Sequence, residues 1–260
     1  MLAYNPTGLT TLDAPRASFM HTAHFLDTAR EHVAVALPGL GITIDSLSYG
    51  SLRRRTLSNP DGAGLGTFSP SALSAAVGFA FPVTDAASIG AAVRHTRETI
   101  DGTTGAAFSA DVGGQAVLSE DPLLRAGLAV QNAGPPTRFD SATEKLPLNV
   151  RWGLAAGFGL LDHPFVLLAD ANHDDEGRLV MQAGLTTPVS ELVTLRVGYN
   201  GRNDAGLGLT AGFGVAWGKL SMDYAVAPYG ALGLAHQLSL GYAFGRPEPA
   251  SAFPPPRARK

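Results

Sequence analysis

The sequence contains no cysteine, little charge and no long hydrophobic run, and each shortage excludes a class of protein. Without cysteine there are no disulfides, no thiolate metal ligands and no cysteine nucleophiles. The formal net charge is −3, and no basic patch is interleaved with aromatic residues, so nucleic acid is not expected as a partner. No segment approaches the roughly 18 uninterrupted apolar residues that a spanning helix needs. If the chain lies in a membrane, it does so as a β-barrel.

Glycine is abundant, with 31 among 260 residues, whereas charged residues make up only 16%. The mean hydropathy is +0.10, which is too apolar for an ordinary soluble surface and too interrupted for membrane helices. The length allows one large all-β domain or two ordinary ones. No domain boundary interrupts the strand pattern described next, which favours one domain.

The clearest pattern lies in the last third of the chain, from Leu192 to Gly245. Odd-numbered residues from Leu207 to Trp217 are Leu, Ala, Phe, Val or Trp, whereas even-numbered ones are Gly, Thr or Ala. Successive side chains of a strand point to opposite faces, so this segment predicts a strand with one bulky face and one small face. Two further strands, within 220–227 and 236–244, repeat the design.

The nature of the small face distinguishes a membrane barrel from a soluble sandwich. A sandwich would carry Lys, Glu, Thr and Asn on its outward face. Here the second face is mostly Gly, Ala and Ser, which suits a closed barrel with large residues facing lipid and small ones lining an interior. Aromatic residues near strand ends match interfacial girdles: Trp217, Tyr224, Tyr229, Tyr242 and Phe244. A soluble β-sandwich binding module remains the alternative from another class.

The same alternation recurs along the chain and predicts an all-β, antiparallel transmembrane barrel of about fourteen strands, an even number. We predict a turn-rich N-terminal segment at 1–17, the barrel at 18–245 and a disordered, Pro/Arg-rich tail at 246–260. The strands predicted before the last third are 18–26, 31–37, 40–55, 71–81, 87–98, 105–118, 122–132, 146–160, 165–171 and 179–187.

Six polar residues fall on the small-residue face and are our candidates for the lumen: Arg125, Arg151, Gln182, Arg196, Asp223 and Gln237. Buried charges need partners, so one interpretation is an interior salt-bridge network. The other is a lumen that contacts a ligand. The pattern leaves both open.

No catalytic or metal-binding constellation is evident, and we predict neither an enzyme nor a cofactor. His21 and His24 are three residues apart, as are His236 and Ser239, which places each pair on opposite faces of a strand. No Gly-x-Ser-x-Gly elbow occurs. The acidic run at 172–176 is the best cation candidate, but it lacks EF-hand spacing and sits at a hairpin tip that must be polar anyway.

Ordered motifs give the chain a resemblance to a known family. These are Asn5-Pro6-Thr7-Gly8-Leu9, Gly127 to Gly134, Leu195-Arg196-Val197-Gly198-Tyr199 and Asp223-Tyr224-Ala225. In order and spacing they resemble the PorV/PorQ family of outer-membrane barrels, relatives of the FadL-type transporters. The resemblance implies a fourteen-strand barrel with a partly plugged lumen in the bacterial outer membrane. It also implies either passage or holding of hydrophobic compounds, or a role as scaffold or shuttle in a protein secretion system.

Both ends depart from that family pattern. The segment that precedes Asn5 in the family, including an export signal, is missing, so we expect a mature or truncated start. The last predicted strand carries the alternating outward residues expected of a signal for the barrel assembly machinery: Leu238, Leu240, Tyr242 and Phe244. The residues after Phe244 are additional to the family pattern.

Overall fold

The computed structural model describes residues 2–139, 142–173 and 176–245. In this part of the chain, fourteen antiparallel strands close into a barrel, which confirms the predicted fold class. The barrel strands are β1 (Arg16–Ala23), β2 (Ala29–Leu37), β3 (Leu40–Ser48), β6 (Ser71–Pro82), β7 (Ala87–Ile100), β8 (Thr103–Glu120), β9 (Leu123–Ala133), β12 (Asn149–Leu160), β13 (His163–His173), β14 (Leu179–Pro188), β15 (Val193–Asn200), β16 (Leu209–Trp217), β17 (Leu220–Pro228) and β18 (Leu234–Ala243).

Four short strands form two hairpins outside the barrel wall. They are β4 (Leu52–Arg53) with β5 (Thr67–Phe68), and β10 (Thr137–Phe139) with β11 (Ala142–Glu144). No helix among the described residues is long and apolar enough to cross a membrane.

Closure depends on the pairing of the first and last strands. Strand β1 pairs with β18 from Arg16 opposite Ala243 to Ala23 opposite His236, and it pairs with β2 along its other side. Each wall strand therefore has a neighbour on both sides, which leaves no open sheet edge. Apart from two shifts in the β8–β9 pairing, the registers keep the large and small faces of adjacent strands in phase around the wall.

The apolar side chains of the wall lie mainly outside. Ile42, Phe108 and Leu154 are 53%, 61% and 54% exposed, whereas Ala92 and Ala129, on the inner face, are each 2% exposed. A soluble barrel would bury its large residues. This wall is inverted, with an exposed apolar surface of a size that marks an interaction with another apolar phase.

The two ends of the barrel differ. We call one the turn end, because six connections of two to four residues lie there together with both ends of the wall, Arg16 and Ala243. The other is the loop end, whose longest connection is loop 49–70 between β3 and β6. The predicted strand 40–55 is therefore wrong in its last part, since the chain leaves the wall after Ser48 and turns at Gly50 with a positive φ.

Two other predicted strands differ from the structure by three residues at one end. The first strand ends at Ala23 rather than Leu26, because Leu26 and Asp27 adopt left-handed conformations that turn the chain. The strand predicted from Leu146 begins at Asn149, after Pro147, which lacks the N–H that a central strand needs. The tail predicted at 246–260 lies outside the described residues.

The N-terminal segment lies inside the barrel as a 3₁₀ helix, Pro6–Thr11, which contacts β6, β7 and β8. Leu2 and Leu9 are 2% and 0% exposed, and they pack with Leu12 against Ala80 and Ala92 of the wall. The buried apolar core of this protein is thus the contact between the N-terminal segment, which we call the plug, and one side of the lumen.

Inward-facing glycines make room for the plug. A Cβ at Gly41 would lie 2.8 Å from Cδ2 of Leu9, and one at Gly90 would lie 3.1 Å from the carbonyl carbon of Pro6. At Gly78 a Cβ would collide with Cδ2 of Leu2. The small inner face of these strands therefore serves as the seat of the plug.

Asn5 fastens the plug to two strands. Its Oδ1 accepts hydrogen bonds from the backbone N–H and the hydroxyl of Thr7, at 3.0 and 2.7 Å. Its Nδ2 donates to the carbonyls of Gly114 on β8 and Leu128 on β9, at 3.1 and 3.2 Å. These contacts use both donors and both acceptor positions of the amide, so Asn5 caps the helix and anchors it at once.

We expect Gly78→Val to loosen the plug, because the new side chain would occupy the space of Leu2, at a cost of about 1–3 kcal/mol for overpacking. Amide hydrogen exchange of residues 2–12 should accelerate while the barrel strands stay protected. Gly184→Val is the matched control, since a Cβ there meets nothing nearer than 3.8 Å. Unchanged protection of residues 2–12 in Gly78→Val would contradict this seating.

Candidate lumen site

The six polar residues expected in the lumen lie at three places on the inner wall. Arg125 and Arg151 line a large cavity beside the plug, and Arg196, Asp223 and Gln237 line a second cavity. Gln182 joins neither lining, and its Nε2 donates to Oδ1 of Asn200 at 3.1 Å. The structure thus separates the set into two groups and one isolated hydrogen-bonded pair.

The larger cavity has a volume of about 890 Å3 and lies between the plug and strands β8, β9, β12 and β13. The guanidinium carbon of Arg151 is 4.9 Å from the ring centroid of Tyr4, a cation–π contact between wall and plug. Asp170 also lines this cavity, and its carboxylate occupies the space that a Cβ at Gly153 would need. The cavity therefore combines a small-residue wall with charged groups on one side.

The second cavity, of about 480 Å3, is lined by residues of β15 to β18. Across it, Nη1 of Arg196 bonds Oδ1 of Asp223 at 2.5 Å. The pair passes over β16 at Gly214, where a Cβ would lie 2.9 Å from Nη1 of Arg196. The two charges pair with each other, as the salt-bridge interpretation predicts, and they also face open space.

A more deeply buried pair did not emerge from the sequence. The side chain of Asp111 is 1% exposed, and it accepts a bond from Nη2 of Arg94 at 3.3 Å and from the backbone N–H of Asn132 at 2.7 Å. The β8–β9 register shifts at this point, and Asn132 has a positive φ. Asp111 thus holds an irregular part of the ladder together.

A second cluster that the sequence analysis missed lies on β2 and β3. Oδ1 of Asp45 accepts a bond from Nη2 of Arg30 at 2.5 Å and lies 2.9 Å from Nδ1 of His32. Asp111 sits between Ala110 and Val112 and Asp45 between Ile44 and Ser46, both at inward positions of their strands. Strand alternation alone could have added them to the candidate set.

A polar patch lies under the first residues of the plug. Nε2 of Gln131 donates to the carbonyl of Ala3 at 3.0 Å, and Nδ2 of Asn149 donates to Oε1 of Gln131 at 3.1 Å. Asn172 is fully buried, and neither atom of its amide has a hydrogen-bond partner. This residue was predicted to lie in a hairpin tip, but it belongs to β13 and faces inward beside Arg151.

The histidines form no catalytic group. His21 lies 3.1 Å from Glu31, and Nδ1 of His236 lies 2.7 Å from the hydroxyl of Tyr224, both on the outer wall. Ser239, in contrast, lines the second cavity, so it cannot act with His236.

His24 follows the end of β1 and packs against Phe25 and Tyr229, where burial lowers the pKa of its imidazole. Among the described residues no three potential ligands cluster for a metal, and residues 174 and 175 of the cation candidate lie outside them.

At the loop end, Arg54 ties loop 49–70 to the β7–β8 turn. Its guanidinium bonds the carboxylate of Asp101, and its Nη1 donates to the carbonyl of Leu65 at 3.0 Å. The hydrogen bond from Arg54 lowers the pKa of Asp101 below its ordinary value and raises that of Arg54. The tie therefore persists at neutral pH and is lost as the pH falls through the depressed pKa of Asp101.

Comparison with solved structures finds similar barrels. The toluene transporter TbuX of Ralstonia pickettii has a TM-score of 0.61 at 12% identity, covering 94% of this chain and 93% of that one. The CymD monoaromatic hydrocarbon channel has 0.59 at 11%, covering 94% and 92%. A FadL homologue of Pseudomonas aeruginosa has 0.51 at 12%, covering 93% of each chain.

These neighbours are FadL-family outer-membrane barrels, and the likeness shows a shared fold. TbuX is named as a toluene transporter and CymD as a monoaromatic hydrocarbon channel. No protein-family model matches the chain, and no curated protein sequence does either.

Removal of Asp111 should cost far more stability than removal of Asp223. Asp111→Ala would leave the buried Arg94 charge and the Asn132 N–H without a partner, at about 3–5 kcal/mol. Asp223→Ala should cost less than about 1 kcal/mol, because that pair is 40–45% exposed to the lumen. Urea unfolding of the folded barrel, followed by electrophoretic migration before and after heating, measures both. Equal losses would contradict the structural role of Asp111.

Proposed function

We propose that this protein is a bacterial outer-membrane barrel that passes or holds small hydrophobic compounds in its lumen. The observation that carries the proposal is the space beside the plug. The plug packs mainly against β6, β7 and β8, and cavities of about 890 and 480 Å3 lie along other parts of the wall. Cavities of this size fall in the range that ligand sites usually occupy.

The outer wall supports the membrane placement. Its exposed residues are largely apolar around the barrel, and aromatic side chains gather near both ends, as at the two water interfaces of a bilayer. The turn-end aromatics include Phe81, Phe158, Trp217 and Tyr242, and the loop-end ones include Trp152, Tyr199 and Tyr229, whereas Tyr224 lies in the middle of β17. Short turns at the end that holds both wall termini match the periplasmic side of such barrels, which puts the loop end outside the cell.

The chemistry of the lumen supports small hydrophobic cargo. Alanine and glycine are the most frequent residues in the wall of the larger cavity, and its charged residues are Arg16, Asp85, Arg125, Arg151 and Asp170. The names of TbuX and CymD describe carriers of toluene and monoaromatic hydrocarbons. Cargo of that size would fit in about 890 Å3 without displacing the plug.

The resemblance to the PorV/PorQ family suggests a second function, as a scaffold or shuttle of a secretion system. That role requires no open path, so the space beside the plug favours cargo. The outward row Leu238, Leu240 and Tyr242 on β18 supports recognition by the barrel assembly machinery in either case. Membrane lipid would be the partner of the whole outer wall.

Blocking the larger cavity tests the proposal. Ala155→Trp projects a ring into it, whereas Ala156→Trp places the same ring on the outer wall one residue away. In cells with an intact outer-membrane barrier, we expect uptake of the hydrophobic probe N-phenyl-1-naphthylamine to fall several-fold for Ala155→Trp and to stay unchanged for Ala156→Trp.

Both variants should run as outer-membrane proteins whose migration shifts on heating. Uptake by the unsubstituted chain no greater than that of cells without it would favour the secretion role. Soluble protein whose electrophoretic migration does not change on heating would contradict the membrane placement.

A further inference from the structure

One sector of the loop end carries exposed arginines that neither the lumen nor the plug uses. Arg53 and Arg55 are exposed in loop 49–70, and Arg97 is exposed on β7. Within the described part of the chain, none of the three pairs with a carboxylate.

The anchor at Arg54 holds the other two loop arginines in place. Because Arg54 reaches Asp101 on the β7–β8 turn, loop 49–70 lies across the top of β6 towards β7. The stem of Arg53 packs beside Gly62, where a Cβ would lie 3.1 Å from its Cγ. The charge of Arg54 is neutralised by this contact, which leaves Arg53 and Arg55 as the outward charges of the loop.

Arg97 lies below the loop on the outer wall. It pairs in register with Leu73, three residues into β6, and shares the outward parity of the exposed Val93. Three residues of strand correspond to about 10 Å, so the arginines bracket a layer of that depth at the upper margin of the apolar wall. The polar headgroup layer of a bilayer is roughly 5–8 Å thick on each side.

Apolar side chains accompany these charges. Leu57 is fully exposed and Leu52 is 44% exposed in the same loop. In a loop that projected into water, exposed leucines on either side of the arginines would contribute no favourable burial. At a lipid surface, leucine side chains can enter the acyl boundary while arginines bond headgroup phosphates.

We propose that Arg53, Arg55 and Arg97 form a docking surface for the phosphate groups of lipid A in the outer leaflet of the outer membrane. The charge of the surface complements a diphosphorylated lipid, and guanidinium groups bind phosphate through paired hydrogen bonds. This inference rests on the outer-membrane placement of the proposed function and is independent of the cargo.

The test uses the full chain, folded into phosphatidylcholine vesicles that contain a trace of fluorescent lipid A. Because the chain has no cysteine, Ser58→Cys gives a single site for a donor dye beside the proposed surface. Energy transfer reports enrichment of lipid A around the loop. EDTA is present so that divalent cations do not mask the phosphates, and dephosphorylated lipid A serves as the matched probe.

We expect lipid A with its phosphates to be enriched, and R53Q/R55Q/R97Q to reduce the enrichment by about fivefold per arginine removed. The control R138Q/K145Q/K219Q removes the same net charge elsewhere and should leave it unchanged. High salt should also weaken the enrichment of lipid A around the unsubstituted chain, because it screens the attraction between arginine and phosphate.

Equal enrichment of dephosphorylated lipid A, or equal transfer in the triple variant and its control, would overturn the proposed surface. Failure of the unsubstituted chain to insert and shift on heating would overturn the membrane placement as well, so the two failures are distinguishable.

Discussion

The structure depends on the closure of its backbone hydrogen-bond ladder. Every barrel strand is paired on both sides, and the pairing of β1 with β18 removes the last free edge. With all wall backbone groups satisfied within the sheet, the outer face can be wholly apolar and can meet lipid without exposing unpaired polar groups. The core of a soluble protein is not needed to hold such a wall together, which explains why the inner face can be built from alanine and glycine.

That inner face determines what the lumen contains. Gly41 and Gly78 leave room for the leucines of the plug, and Gly214 leaves room for the ion pair between Arg196 and Asp223. The small side chains of the inner face make room for the plug on one side of the lumen and leave open space on the other side. Plug and cavity are therefore two consequences of one small-residue surface. Asn5 fastens the plug to β8 and β9 through hydrogen bonds to their carbonyls.

The charges are distributed by depth. Asp111 and Asp45 are buried among inward groups and hold neighbouring strands or an irregular register, whereas Arg196 and Asp223 face the open lumen. At the loop end, Arg54 bonds Asp101 and anchors loop 49–70, whereas Arg53 and Arg55 remain exposed at the surface. Different arginines thus carry stability and, in our proposals, cargo contact and lipid contact, although all look alike in the sequence.

The sequence by itself determined the class of the fold, the number of strands and the face to which most side chains point, because strand alternation is a local property. It also placed Arg125, Arg151, Arg196, Asp223 and Gln237 on the inner face. Only the tertiary structure decided which of these meet, because contacts across a barrel depend on register between strands far apart in the chain. The seating of Leu2 and Leu9 on β3, β6 and β7, and the reach of Asn5 to β8 and β9, likewise join residues separated by about thirty to more than a hundred positions. No local pattern encodes such distances, and closure of the wall is what brings them together.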